Sequence, residues 1–501
     1  MSLAANLLSA TAHDITQLMP ERYAAFRPLV EDGISFFLGR LTPDRFAHIL
    51  ADQAKMPATT SLTERTILFL RRCPSLQKLG QVVARDRRLA PELRKSLQRL
   101  ESSVPSIPIT DVLPIIRQEI GNAAKISVAH RALAEGSVGV IVPFTWRETG
   151  PSTLRHGVFK LLKPGVEECL QEELKIWSAL GPFLEERSVS YGLPKLTYRE
   201  TFDAVRRQLL SEIQLDQEQK HLAEAAKFYS DFPQVLIPRV LAFSTPRITA
   251  MERVYGRKVT HAHASEEERQ KLAETIAEAL IAKPFWSLAP DVVFHADPHA
   301  GNLFQTRDGR LAVLDWSLTV NLCKGERAQI VRVVLTALAL DEAGLCQAVS
   351  CLAKTRPEES ILRTAVRDAL RQVRTGMFPT LDWMLMLLDR LATSCYVEFS
   401  EELTLFRKAL LALQGVLMDL SEAPIANRVL IRTGATQFAR EFFDRILNPA
   451  GSDLLGTHVS NEDLFSLWAS LPITATLFWL GSWQDRLEEA RAVLQKTSRR
   501  T

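Results

Sequence analysis

Between residues 295 and 315 the chain carries a spacing of polar side chains that could transfer a phosphoryl group. His295-Ala-Asp297-Pro-His299-Ala-Gly301-Asn302 follows one apolar run, and Asp315 ends the next. Moving a phosphoryl group off a nucleoside triphosphate needs one or two divalent cations, and hard cations take oxygen ligands from carboxylates and amides. An Asp must also face the acceptor hydroxyl. A loop built for this places His two residues before that Asp and Asn five after it, with a further metal-holding Asp on a later turn. Here His295 precedes Asp297 by two, Asn302 follows it by five, and Asp315 lies 18 residues beyond. The spacing therefore predicts that Asp297 orients or deprotonates the acceptor while Asn302 and Asp315 hold the divalent cations on ATP. Gly301 is expected to let the loop turn tightly. Two other readings compete. His-x-Asp-x-His on an extended segment puts alternate residues on one face, as a transition-metal site would use. A polar turn between strands needs no chemistry at all. Neither accounts for Asn302 and Asp315 at these distances.

A site of this kind also needs a lysine on a strand to grip the phosphates, held by a glutamate on a helix. Lys160 lies in the β-run Gly157-Val-Phe-Lys160, upstream of the Asp pair. A lysine beside a β-run is ordinarily a surface residue, and its order along the chain is what singles this one out. No G-x-G-x-x-G precedes it. The upstream segment reads Gly121-Asn-Ala-Ala-Lys-Ile-Ser-Val-Ala-His130 instead.

Several elements must position these groups. Residues 1–75 and the run 91–100 carry apolar positions at three- and four-residue spacing, which predicts amphipathic helices. The Pro- and Ser-rich stretch 102–110 marks a boundary. Residues 138–146 and 154–162 are β-rich runs joined by a Gly-Pro connector, which predicts a hairpin. A long helix follows, then a second predicted from Phe202 to Tyr229. Two further strands are expected at VLIPRVLAFS and ITAMERV, the second containing Met251. Beyond Glu266 the pattern is helical, except for a pair of short strands within residues 292–317 that turn at Arg307-Asp308-Gly309.

Four segments, taken in order, resemble the UbiB family of atypical protein-kinase-like proteins (the ADCK and AarF-like group), which is linked to ubiquinone and other isoprenoid lipid metabolism. Lys78-Leu-Gly80-Gln81 resembles its K-x-G-Q motif, with Leu89 to Leu93 as the downstream L-x-P-E-L. Residues 123–132 resemble its Ala-rich loop. Phe159-Lys160 followed by Pro164-Gly165 resembles its lysine strand, and Phe294 to Asp315 its catalytic segment. The resemblance runs from about residue 60 to 420. It implies an α+β, two-lobed kinase-like fold with a helical N-terminal extension (1–110), a small lobe (111–260), a large helical lobe (261–425) and a helical C-terminal extension (426–501). It pairs Glu218 with Lys160 and Glu212 with Lys78. It places Ala123, Ala124, Lys125, Lys160, Met251, Lys78 and Glu212 about the nucleotide. The sequence departs from the family at Gln214, Lys125 and Ser317, where the family has Asp, Ser and the Gly of Asp-Phe-Gly. Ser317 is expected to stiffen the metal-binding turn, because Ser resists φ > 0. The implied activity is that of a kinase-like ATPase or small-molecule phosphotransferase using ATP and Mg2+. The alternative is a nucleotide-binding pseudokinase that signals to partner proteins. An isoprenoid lipid or quinone precursor and biosynthetic partner proteins are the implied further partners.

Composition sets the outer limits. The 501 residues are 46% apolar and 24% charged, with a net charge of +3 and no basic run interleaved with aromatics, so nucleic acid is not expected as a partner. The six cysteines form no C-x-x-C pair, which argues against a zinc or redox motif and fits a reducing compartment. The first residues lack the basic start and long apolar run of a secretory signal. Leu464 to Trp483 is a 20-residue stretch without charge, interrupted by Pro472. It is long enough to reach across a bilayer. A cytoplasmic protein attached to a membrane surface through this segment is expected, with a buried hairpin bent at Pro472 as the competing reading.

Overall fold

Alternating burial along two neighbouring runs creates the sheet that carries Lys160. A computed structural model describes residues 13, 15–19, 21–57, 59–84, 91–98, 107–121, 126–147, 154–193, 198–261, 265–452, 455–472, 475–476 and 479–480. It divides into two compact units: residues 1–231, 237–255 and 314–318, and residues 232–236, 256–313 and 319–501.

The first unit opens with helices α1 (Arg27–Leu38), α2 (Pro43–Ala54), α3 (Leu62–Arg71), α4 (Pro74–Ala84), α5 (Pro91–Gln98) and α6 (Ile109–Ile120). The sheet follows: β1 (Ile126–Val128), β2 (Ala134–Glu135), β3 (Gly139–Arg147) and β4 (Leu154–Leu162), with β6 (Ile248–Glu252) added later. Its order is β1-β3-β4-β6, and β2 also pairs with β3. In β3, Val140, Val142 and Phe144 face inward on alternate positions. They pack with Phe159, Leu161, Ile248 and Ala250, under Val112 and Ile116 of α6. Because strand side chains alternate, Lys160 between Phe159 and Leu161 must project from the opposite face. Gly157 makes room for this core: a Cβ there would come within 2.5 Å of the Phe144 ring, which stacks on Phe159 with centroids 3.8 Å apart.

After β4 come α7 (Val166–Ser190), α8 (Tyr198–Glu212) and α9 (Leu215–Phe228). The apolar stripe of α7, including Leu170, Trp177 and Leu180, packs with Leu29 and Phe37 of α1 and Val205 and Leu209 of α8 in a second core. The single helix expected from Phe202 to Tyr229 is in fact two, because Gln214 leaves the helical region at φ −92°, ψ 71°. No Gly or Pro sits there to announce the break.

The second unit holds β5 (Val235–Leu236), β7 (Gly256–Lys258), β8 (Asp291–His295), β9 (Leu303–Thr306), β10 (Leu311–Val313) and β11 (Thr319–Cys323). One sheet runs β5-β10-β9-β7 and the other is β11-β8. The β9–β10 hairpin turns where expected, with Gly309 at φ 85°. The strand expected over VLIPRVLAFS shrinks to the two residues of β5, for Pro238 has no N–H to donate to a ladder. Strand β11 was not anticipated. Helices make up the rest: α10 (Glu266–Ala277), α11 (Lys324–Leu338), α12 (Glu342–Leu352), α13 (Glu359–Arg374), α14 (Leu381–Ser394), α15 (Glu401–Leu420), α16 (Ile425–Arg440) and α17 (Phe442–Leu447). This is the α+β class expected, with helical segments before and after the sheet-bearing parts. Among the described residues no single helix is long and apolar enough to cross a membrane; α15 and α16 pass that test only as a pair bent by 107°. Of the charge-free stretch, residues 473, 474, 477, 478 and 481–483 lie outside the described residues, as do residues 85–90 of the K-x-G-Q region.

Candidate functional site

Lys160 is the centre of the first cluster. Its Nζ lies 2.7 Å from Glu218 Oε1 and 3.1 Å from Asp315 Oδ1. Glu218 gets there because it takes one position of the buried stripe Leu215, Glu218, Leu222 and Ala225 along α9, so its carboxylate is carried inward with its apolar neighbours. Asp315 follows β10 at φ 55° and accepts from the Ser317 main-chain N–H at 3.3 Å. The left-handed residue of this turn is therefore Asp315 itself. Ser317 is not among the residues of positive φ, so the expected stiffening by loss of Gly at that position does not arise. Trp316 is buried, and its carbonyl is 3.0 Å from His221 Nδ1 on α9. The helix that supplies Glu218 thus also anchors the Asp315 turn.

One ammonium facing two carboxylates sets their protonation. Burial works against the charge of Lys160, but Asp315 and Glu218 more than offset it and hold the ammonium above its ordinary range. Burial likewise opposes ionisation of Asp315, yet Lys160 and the Ser317 N–H keep its carboxyl well below the usual carboxylate values. Glu218 is pushed up to about 7 by burial, with Lys160 pulling against the rise and Asp315 adding to it. Glu218 is therefore the member of the trio that takes up a proton first.

Lys78 and Glu212 form a second cluster in the same unit. They are directly hydrogen-bonded, with side chains only 6% and 14% exposed. Ser137, in the β2–β3 turn, donates to the other Glu212 oxygen at 2.9 Å. Nothing in the sequence singles out Ser137, a serine in a short turn. Gln81, one helical turn beyond Lys78, is buried beside it. The break between α8 and α9 matters here: Glu212 ends one helix and Glu218 lies in the first turn of the next, so each meets its own lysine. Met251 on β6 is paired across the ladder with Val158, which puts it on the same sheet face as Lys160. Ala123, Ala124 and Lys125 lie outside the described residues.

In the second unit, Asp297 and Asn302 share one loop after β8. The Asn302 Nδ2 donates to the Asp297 carbonyl at 3.1 Å, and the same carbonyl accepts from the His299 N–H at 2.8 Å. The His295 ring accepts from the Asp297 N–H at 3.2 Å. Committing the Asn302 amide nitrogen fixes that side chain and leaves its oxygen, the atom a hard cation wants, with no protein partner among the described residues. His299 Nδ1 accepts from the Gly301 N–H at 3.0 Å, and a Cβ at Gly301 would meet that ring at 2.5 Å. Gly301 is required by this close approach and not by a positive φ. Among the described residues no three His, Cys, Asp or Glu side chains gather as an all-protein metal cage. Magnesium is ordinarily held by one or two carboxylates plus phosphate oxygens, so the donors present suit it better than they suit a transition metal.

These features define the class: an atypical kinase-like protein with a lysine–glutamate pair, an Asp turn beside that lysine and a His-x-Asp loop carrying its Asn. The ABC1 atypical kinase-like domain matches residues 99–349, half of the chain, and the chain belongs to that family. It is similar to the Arabidopsis thaliana chloroplastic protein ACTIVITY OF BC1 COMPLEX KINASE 3, 24% identical over 61% of this chain and 42% of that protein. It is also similar to a probable protein kinase UbiB from Marinobacter nauticus, 23% identical over 68% of this chain and 64% of that protein. The chain therefore spans less than two thirds of the length of these curated relatives. Among solved structures it is similar to Rv3197 of Mycobacterium tuberculosis in complex with erythromycin, at 18% identity and a TM-score of 0.46, covering 77% of this chain and 97% of that one.

Proposed function

We propose that this protein binds ATP with Mg2+ and acts as an ATPase or small-molecule phosphotransferase supporting ubiquinone or other isoprenoid lipid metabolism. The observation that carries the reading is Lys160 held within hydrogen-bond reach of both Glu218 and Asp315. In this reading Lys160 grips the phosphate oxygens, Glu218 keeps the ammonium in place, and Asp315 and Asn302 hold the cation. Asp297 orients the acceptor hydroxyl and accepts its proton. Bound Mg-ATP supplies the electrophilic phosphorus. Lys78 and Glu212 hold the N-terminal extension against the small lobe, which favours ATP hydrolysis or a small acceptor over a peptide. Support for quinone metabolism is the family membership together with relatives named UbiB.

The test is a Mg-ATP titration followed by thermal shift, with phosphate release measured on the same samples. Asp315→Asn should weaken Mg-ATP binding about tenfold or more, since even an outer partner of a metal ligand is worth that much. Equal binding by variant and wild type would remove Asp315 from the site. The departures at Gln214 and Lys125 favour a second reading, a pseudokinase, which would show the thermal shift without phosphate release.

We also place the protein in the cytoplasm, at a membrane surface. Phe443, Ile446, Leu447, Phe465 and Trp468 are each more than 60% exposed, and the charge-free stretch begins among them. Apolar residues grouped on a surface mark interaction sites, and Trp favours the membrane–water interface.

A further inference from the structure

The polar cluster at the start of α4 has no part in the proposed phosphoryl chemistry, yet it contains a fully buried carboxylate, Glu173. Helix α4 begins after Cys73, whose carbonyl accepts the first helical bond from Gln77 at 2.8 Å. The main-chain N–H of Ser75, in the first turn, donates to Glu173 Oε2 at 2.8 Å. Glu173 belongs to α7 and its side chain is 0% exposed. Its other oxygen is bonded to Arg45 of α2. Arg45 also reaches Glu172 Oε2 at 2.9 Å and the carbonyl of Arg72, just ahead of α4, at 3.1 Å. Glu172 in turn accepts from the Thr42 N–H at the start of α2.

Two adjacent carboxylates on α7 therefore cap the N-termini of two other helices, and one guanidinium bridges them. First-turn N–H groups lack partners within their own helix, and a carboxylate there also meets the positive end of the helix dipole. Ser75, Lys78 and Gln81 are spaced by three and share one face of α4. Glu173 fastens the N-terminal backbone of the helix through the Ser75 N–H, and Glu212 holds its face through the Lys78 side chain. An anchor at the end and one on the side together set both the position and the rotation of the helix.

We propose that Glu173, held by Arg45, is a positioning residue for Lys78. Its cap on α4 and the Lys78–Glu212 pair form a two-point clamp that holds the extension on the Lys160 lobe, and opening the Glu173 end releases Lys78 from Glu212. The expected effect on nucleotide affinity rests on the proposed ATP function; the effect on α4 does not.

The full-length protein without nucleotide is examined by hydrogen exchange with mass spectrometry, alongside alkylation of Cys73, which is fully buried at the head of α4. Glu173→Ala should speed exchange of the α4 amides about 5- to 10-fold, the loss of one cap, and raise Cys73 alkylation, while Leu170–Leu184 of α7 keeps its protection. Glu173→Gln should restore α4 protection, because its amide oxygen still accepts from Ser75. Mg-ATP affinity should move in Glu173→Ala in the same direction as in Lys78→Ala, and the two effects should not add in the double variant. Unchanged α4 exchange, or faster exchange spread evenly over α1 to α7, would overturn the clamp. Fully additive effects on affinity would overturn the link to Lys78. If wild type binds no Mg-ATP, the ATP reading fails, and exchange and alkylation still decide the clamp.

Discussion

Replacing Lys160 with Met isolates what its ammonium does between two carboxylates. Met has nearly the same length and fills the same space, so the packing change is small. What disappears is a positive charge 2.7 Å from Glu218 Oε1 and 3.1 Å from Asp315 Oδ1. The variant escapes carboxylate repulsion by keeping Glu218 protonated. Since Glu218 already titrates near 7 in the intact trio, that proton costs little at or below neutral pH. The sign follows from linkage. The raised Glu218 gives wild type stability that is present below the unfolded carboxylate value and lost as pH rises through about 7. Above 7 wild-type Glu218 is ionised and paired, and this slope ends. The variant must keep its proton, so its stability goes on falling by about 1 kcal/mol per pH unit. The cost of Lys160→Met is therefore expected to be about 1 kcal/mol at pH 6, growing to about 2–3 kcal/mol at pH 8.5, and limited by the ~3–5 kcal/mol typical of a broken buried pair. Urea unfolding of both proteins at pH 6, 7 and 8.5 measures it. A difference that is constant across this range, or larger at pH 6, would refute the assignment of the mobile proton to Glu218.

Three other outcomes follow from the same structure. His458 is fully buried at φ 57°, with Nε2 donating to the Phe285 carbonyl at 2.8 Å, and burial beside Arg327 lowers its pKa to about 4. A lowered His costs stability as pH falls from about 6.5 towards 4, by up to about 1 kcal/mol per pH unit, and His458→Asn, which tolerates that backbone, should remove this slope in urea unfolding between pH 4.5 and 7. Gly157→Ala should destabilise by about 1–3 kcal/mol, because the Phe144 ring it would strike is stacked on Phe159 and cannot withdraw; a melting temperature equal to wild type would contradict that packing. Deleting residues 464–501 should abolish flotation with liposomes, and full-length protein that stays in the soluble fraction without detergent would remove the membrane reading.

How much was legible in the sequence divides along sequence separation. The turn from His295 to Asn302 is largely local: the bonds Asp297 N–H to His295, Gly301 N–H to His299 and Asn302 Nδ2 to the Asp297 carbonyl join residues two to five apart, so types and spacing describe that turn well. The hairpin strands are legible for the same reason, since alternation of apolar residues in β3 and β4 is a property of each strand alone. Lys160, Glu218 and Asp315 are separated by 58 and 97 residues, and motif order could nominate them without showing how close they come. Placement of Lys160 on the non-core face of β4, and of Glu218 in the buried stripe of α9, is what brings the charges together.

Other features belong to tertiary structure entirely. Glu167, Glu168, Glu172 and Glu173 look alike along α7, and only packing against α2 and α4 makes Glu173 wholly buried and turns it into a cap for another helix. The break at Gln214 carries no Gly or Pro, so periodicity read straight through it, although the separate aims of Glu212 and Glu218 depend on it. The positive φ of the turn after β10 falls on Asp315, where the sequence pointed to Ser317. By itself the sequence determined the family, the order of the elements and the donor types, because those follow from local pattern and spacing. The tertiary structure decided which carboxylate faces which cation and which of them carries the mobile proton, because burial and charge proximity are set by segments far apart in the chain.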